Sequence, residues 1–290
     1  MGSILKSRHL CFLFITLVSA GLCAPALFKL LNSAANSDYY SHIPFLPVIS
    51  GCLLFARRKV IDRDAQYAWR PGLLLVATGV GLYGSAWHLQ GMTSNNDHAA
   101  LVMISTLIIW AGGFLALYGK KALLNAKLPI IFLLFMVPLP DIVMEFAIRA
   151  LRSGSTEAAN GIFILGGVPF SRTGFTFHLS NLYIEVAREC SGIRSFLALA
   201  ITGVLAGNFF LRSNWARVIL ILFIIPIAIL KNGFRIAALS LLAVYVDEGI
   251  LLSDLHRKGG ILFFVLALIL LGAVIVVLQK TEKKVVTSDQ

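Results

Sequence analysis

GILFFVLALILLGAVIVVL, residues 260–278, runs for nineteen residues without a charge. An α-helix needs about 20 apolar residues to cross a hydrocarbon core about 30 Å thick, so this stretch reads as a membrane span. Lys280, Lys283 and Lys284 follow it, and His256-Arg257-Lys258 precede it. Working back toward the N-terminus, the same test gives about eight spans. They fall at about His9–Leu31, Ile43–Ala56, Pro71–Gln90, His98–Tyr118, Ala122–Val137 and Ser191–Leu211, then one starting near Trp215, then Gly260–Leu278. The second is short and holds Pro44 and Pro47, and the fifth ends at Pro138 and Pro140. The fold expected is an all-α polytopic membrane protein, a single multi-pass domain over residues 1–290 with no internal repeat.

Composition agrees. Hydrophobic residues make up 58% and charged ones 13% of the chain, and mean hydropathy is +0.84; soluble domains carry about 25% charged residues. The net charge of +11 does not point to nucleic acid, because its placement follows the loops. Lys6 and Arg8 precede the first span; Arg57, Arg58, Lys59, Arg63 and Arg70 lie between the second and third; Lys120, Lys121 and Lys127 fall near the fourth and fifth; Arg212 and Arg217 fall between the sixth and seventh. The alternate loops 32–42 and 90–98 hold no Lys or Arg. Basic loops stay in the cytoplasm, which puts both termini there and makes the span number even. Lys6 and Arg8 before an apolar run also suit a cleaved signal peptide, but the run is long for one, and a retained first span is expected.

One stretch is irregular. Residues 138–190 are of mixed polarity and fall on the outer side by the charge argument. Asp141–Leu165 has helical periodicity and reads as an amphipathic or re-entrant helix. After the turn signal Gly166-Gly167-Val168-Pro169, residues 175–179 and 182–184 read as a hairpin turning at Ser180-Asn181. It leads into Glu185-Val186-Ala187-Arg188-Glu189-Cys190-Ser191-Gly192-Ile193-Arg194-Ser195.

Polar residues next to or inside spans carry the functional reading. Cys11, Cys23 and Cys52 sit in apolar runs and read as small hydrophobes. Cys190 begins a span with charges around it; a cysteine at a helix N-terminus has its thiolate favoured by the dipole and by nearby cations. In the seventh span, Arg235 lies eighteen residues after Arg217, about 27 Å higher and close to the outer boundary. An arginine among apolar residues there marks a functional site or a buried pair. Asn232 shares its helix face, and Lys231 suits a side chain snorkelling to the interface. His256 precedes the last span, again at the outer face, beside Arg257 and Lys258, which break the charge rule. A thiolate, an imidazole and a fixed cation are the parts acyl transfer requires.

These residues resemble the exosortase/archaeosortase family. The resemblance rests on Glu185–Ser195 with its Cys190-Ser191-Gly192 core, on Asn232-Gly233-Phe234-Arg235, and on His256 followed by Gly259-Gly260. Weaker matches are residues 135–140 (FMVPLP) and Ser41-His42-Ile43-Pro44 leading into Arg57-Arg58. It implies a catalytic Cys190, Arg235 and His256, with Arg188, Arg194 and Asn232 as secondary candidates and no cofactor. It also implies cleavage of C-terminal sorting signals (short motif, membrane helix, basic tail) of exported proteins at the outer face of a bacterial inner membrane. Histidine at the third position is like the bacterial branch.

Two other classes stand beside it. Gly-x-Ser-x-Gly, His-Glu-x-x-His and Gly-x-Gly-Asp are absent, which disfavours other intramembrane protease types. A transporter or a non-catalytic component of polysaccharide export also places polar groups in membranes, though usually at the midplane rather than at one face. His42, His88, His98 and Asp97 match no zinc spacing.

Overall fold

A computed structural model describes residues 2–34, 40–180, 182–247, 249 and 260–288. Helices α1 (Gly2–Ala34), α2 (Phe45–Arg63), α3 (Trp69–His88), α4 (Asn95–Asn125), α5 (Lys127–Leu134) and α6 (Asp141–Leu165) come first. Strands β1 (Phe170–Thr173), β2 (Thr176–Leu179) and β3 (Leu182–Glu185) follow, then a 3₁₀ turn Arg188–Ser191. Helices α7 (Ile193–Phe210), α8 (Asn214–Tyr245) and α9 (Gly260–Ser288) complete the chain. It divides into two compact units, residues 1–144 and 145–290.

Five helices among the described residues are long and apolar enough to cross a membrane: Ser7–Asn32, Asn95–Asn125, Arg188–Phe210, Asn214–Tyr245 and Gly260–Lys283. They match five of the eight expected segments. The other three fall short for separate reasons. Helix α2 continues through Arg57, Arg58, Lys59 and Arg63 instead of ending at Ala56, so its helical length is partly charged. Helix α3 is diluted by Gly72, Gly79, Gly81 and Gly84. The fifth segment is divided at Ala126, and α5 has only 8 residues, about 12 Å of rise.

The glycines of α3 have a packing reason. A Cβ on Gly72 would lie 2.5 Å from Ala116 Cα, and one on Gly79 would lie 2.9 Å from the backbone N of Ile109. Small residues of this kind let two membrane helices approach backbone to backbone. On the other side of α4, Phe12 packs among Trp110, Phe114 and Tyr118 with ring centroids 5.3–5.4 Å away. Helix α4 breaks at Gly119 (φ 81°), where the freed carbonyls of Tyr118 and Ala116 accept the Gln66 and Ala68 N–H groups at 3.0 Å. Near its N-terminus, Asn96 donates to the Leu139 carbonyl (2.7 Å) and to Asp141 (2.8 Å), while Asp97 accepts the Asp141 N–H (2.7 Å). That ties down the Pro138–Pro140 stretch where α6 begins.

In the second unit, Leu199 of α7, Leu220 and Ile224 of α8 and Ala267 and Leu271 of α9 form one core. Glu282 fastens α9 to the α7–α8 connection by accepting the Arg212 and Ser213 N–H groups (3.3 and 2.7 Å). Large apolar side chains such as Phe209, Leu222 and Ile261 are more than half exposed, as on a lipid-facing surface. Helix α6 has the bounds its periodicity predicts. It buries Ile148, Leu151, Ser155, Ala159 and Phe163 along one stripe, the helical i, i+3, i+4 repeat.

The expected hairpin is present but is two strands of a three-stranded sheet. β2 and β3 pair antiparallel with Leu179 opposite Leu182, as the expected hairpin requires; Asn181 lies outside the described residues. β1 adds a third strand, Phe170 to Thr173 against Leu179 to Thr176. Its two-residue connection begins with Gly174 at φ 60°, a conformation that favours glycine. Phe163 of α6, Phe170 and Phe177 form a mutual aromatic contact with centroids 5.1–5.8 Å apart. They belong to a core shared with Val186, Ile236 and Ala237, which anchors the sheet to α6 and α8.

Candidate active site

The approach to Cys190 is held from α6. Arg152 donates through Nε to the Val186 carbonyl (2.5 Å) and through Nη2 to Glu185 Oε1 (3.2 Å), and its guanidinium lies 3.9 Å over the Phe175 ring. Arg188 pairs with Glu145, and Arg172 with Glu157 at 2.9 Å. Three ion pairs, from Glu145, Arg152 and Glu157, thus join α6 to the sheet and the turn after it. The Glu157 carboxyl is held below its usual range, first by the Arg172 hydrogen bond.

The chain then winds through the 3₁₀ turn, where the Cys190 N–H donates to the Ala187 carbonyl (3.0 Å). It reverses at Gly192, φ 80° and ψ 9°, and α7 starts at Ile193. The Gly192 carbonyl accepts the Phe196 N–H and the Ser195 hydroxyl, both at 2.9 Å.

Helix α8, continuous through Pro226, supplies the opposite wall. Asn232 is 1% exposed and donates through Nδ2 to the Cys190 carbonyl at 2.8 Å. A carbonyl can only accept, so this bond fixes which amide atom is nitrogen. The Asn232 Oδ1 is buried and has no hydrogen-bond partner among the described residues. Asn232 also presses on the turn: a Cβ on Gly192 would fall 2.9 Å from Asn232 Cγ. Next in sequence, Gly233 lets α8 cross α6, because a Cβ there would lie 2.4 Å from Ala158 Cβ and 3.0 Å from the Ser155 carbonyl oxygen. Arg235, three residues beyond Asn232, is half-buried. A cavity of about 40 Å³ is lined by Ile184, Val186, Cys190, Asn232, Arg235 and Leu239, among others. Cys190, Asn232 and Arg235 therefore line one small, mostly apolar space.

The family model for transmembrane exosortases (Exosortase_EpsH) matches residues 34–273, well over half of the chain. The chain belongs to this family. The exosortase match takes in Cys190, Asn232, Arg235 and His256. Searches of curated proteins and of solved structures gave no match.

Of the residues singled out in this exosortase by sequence, Cys190, Asn232 and Arg235 come together at the cavity. Arg188 is exposed and engaged with Glu145, and Arg194 is exposed on the first turn of α7; neither is among the cavity-lining residues. His256 lies outside the described residues. Cys190 is not at the first turn of an α-helix as expected; it stands in the 3₁₀ turn, three residues before α7. The left-handed Gly192 separates the two, so the thiol is set by the turn and by Asn232 rather than by the axis of α7. Lys231 does not snorkel: it is 3% exposed and donates to the Ser195 hydroxyl. Arg152 was not singled out from sequence because it reads as one more polar residue of an amphipathic helix. Among the described residues no group of three or more His, Cys, Asp or Glu is placed to hold a metal.

Proposed function

We propose that this exosortase is a membrane cysteine peptidase or transpeptidase that cleaves the C-terminal sorting signal of exported proteins. The chain crosses a bacterial inner membrane about eight times with both termini in the cytoplasm, and residues 138–190 and the site face outward. Its partners are sorting signals and the lipid bilayer. The observation that carries the reading is the cavity shared by Cys190 and Arg235, with the cysteine loop hydrogen-bonded to the helix that bears the arginine.

Under this reading the Cys190 thiolate attacks the scissile carbonyl carbon, forming the C–S bond and an oxyanion. Arg235 offsets the negative charge, first on the thiolate and then on the oxyanion, in a cavity where low polarity strengthens the interaction. Collapse of the intermediate breaks the C–N bond, and His256 gives its proton to the leaving amine. The product is a thioester on Cys190. Water or an acceptor amine then attacks the thioester, His256 takes its proton, and the Cys190 thiolate is released. Asn232 Oδ1 offers its unmet acceptor to a backbone N–H of the substrate.

Cleavage of a co-expressed sorting-signal reporter tests the proposal. Cys190→Ala and Arg235→Ala each leave the reporter uncut while the enzyme inserts normally in the membrane. Full processing by Cys190→Ala overturns the mechanism. Labelling of Cys190 by a membrane-impermeant thiol reagent from the cytoplasmic side alone overturns the topology.

A further inference from the structure

A lysine buried at the edge of an apolar core is costly unless it does something there. Lys231 is 3% exposed, and its hydrogen-bond acceptor among the described residues is the hydroxyl of Ser195. The Ser195 hydroxyl donates its own hydrogen bond to the Gly192 carbonyl at 2.9 Å. Lys231 and Asn232 are adjacent on α8, so the helix holds two carbonyls of the cysteine loop. Asn232 binds that of Cys190 directly, at 2.8 Å, and Lys231 reaches that of Gly192 through Ser195. The left-handed turn at Gly192 lies between these two attachments.

We propose that Lys231 and Ser195 are positioning residues: they fix the Gly192 turn, and through it the direction in which Cys190 presents its thiol. A lysine hydrogen-bonded to a serine is also the arrangement of a Ser–Lys catalytic pair. Two observations here argue against that role. Neither Lys231 nor Ser195 is among the residues lining the cavity, and the serine proton is already committed to Gly192. The ammonium instead polarises the hydroxyl, and a polarised hydroxyl donates more strongly to the carbonyl beyond it. The inference rests on Cys190 being the nucleophile only where it predicts cleavage rates.

The test uses the full chain in detergent micelles with a sorting-signal peptide. Lys231→Met and Ser195→Ala each lower kcat about 100-fold, the usual effect of a nucleophile displaced by about 1 Å, with KM unchanged. The double variant is no slower than the worse single one, because both break the same chain. Ser195→Thr, which keeps the hydroxyl, recovers most of the rate lost in Ser195→Ala. Melting separates positioning from plain structural support. Lys231→Met keeps or raises the melting temperature, since a buried charge is replaced by an apolar side chain of similar length. Amide hydrogen exchange quickens at residues 187–194 while α8 stays protected. Multiplicative losses in the double variant, or a Lys231→Met protein that loses stability along with rate, overturn the proposal. So does unchanged exchange at 187–194. The exchange measurement does not depend on cleavage, so failure of Cys190 as nucleophile remains distinguishable from failure of this clamp.

Discussion

Replacing Gly192 by alanine tests the geometry of the cysteine turn more sharply than removing the cysteine. Two costs add at this position. With φ at 80° and ψ at 9° the backbone is left-handed, a conformation that costs an L-residue about 1–2 kcal/mol. The added methyl would also stand 2.9 Å from Asn232 Cγ, 3.1 Å from its Oδ1 and 3.2 Å from its Nδ2. Forcing a methyl into a packed site costs about 1–3 kcal/mol, so the sum is about 2–5 kcal/mol. Asn232 cannot move aside cheaply, because its Nδ2 holds the Cys190 carbonyl. Relief of the clash therefore breaks the bond that sets the thiol.

The expected result has three parts. Gly192→Ala melts lower than wild type and, under the proposed function, cleaves a sorting-signal peptide about 100-fold more slowly. In an Asn232→Ala background the same substitution costs less, since the clash disappears and only the backbone term of about 1–2 kcal/mol remains. Gly161→Ala is the control: Gly161 lies within α6, nothing stands within 4 Å of its would-be Cβ, and alanine there gains up to about 1 kcal/mol. Thermal melting by tryptophan fluorescence and peptide cleavage on the same preparations give both numbers. If Gly192→Ala matches wild type in both, or costs the same with and without Asn232, the account of this turn is wrong.

Three further outcomes are expected. Gly233→Val destroys the crossing of α8 over α6, where even a methyl would sit 2.4 Å from Ala158 Cβ; the folded yield in size-exclusion chromatography collapses, while Gly272→Ala, with open space around it, elutes as wild type. Arg152→Ala frees the Val186 carbonyl and Glu185 and uncovers the Phe175 ring; charged hydrogen bonds are worth about 1.5–3 kcal/mol, and protease nicking between residues 180 and 190 rises. The Glu157–Arg172 pair gives a small pH dependence. Its folded-state pKa lies below the unfolded one, so its contribution is present above the unfolded value and is lost as pH falls through the folded one. The carboxylate is 62% exposed, which keeps the effect well under about 1 kcal/mol; Glu157→Gln removes that part of the melting profile at acid pH.

The sequence is most legible where one physical rule acts alone. Helix α6 follows its apolar period, and β2 and β3 pair as the strand-like runs 175–179 and 182–184 predict. β1 stays hidden in sequence because Phe170–Thr173 is four residues long and alternates half-buried with exposed positions; it becomes a strand by pairing with β2. The fifth segment is mostly apolar, yet its helix is divided at Ala126, and that break depends on backbone geometry rather than hydropathy. At the candidate site, charge and depth single out Cys190 and Arg235, which line one cavity, because a polar group in an apolar run is visible by contrast. Lys231 is visible in the same way, but its role depends on partners thirty-six and thirty-nine positions away, Ser195 and Gly192. Such couplings form only when α7 and α8 pack, and the glycines that permit the packing look from sequence like ordinary membrane-helix glycines. Gly192 packs against Asn232 and Gly233 follows Asn232 in α8, one needed for its backbone angle and the other for helix approach. The short polar words around Cys190 and Arg235 therefore carry two kinds of information, polar groups and the small residues that let those groups meet.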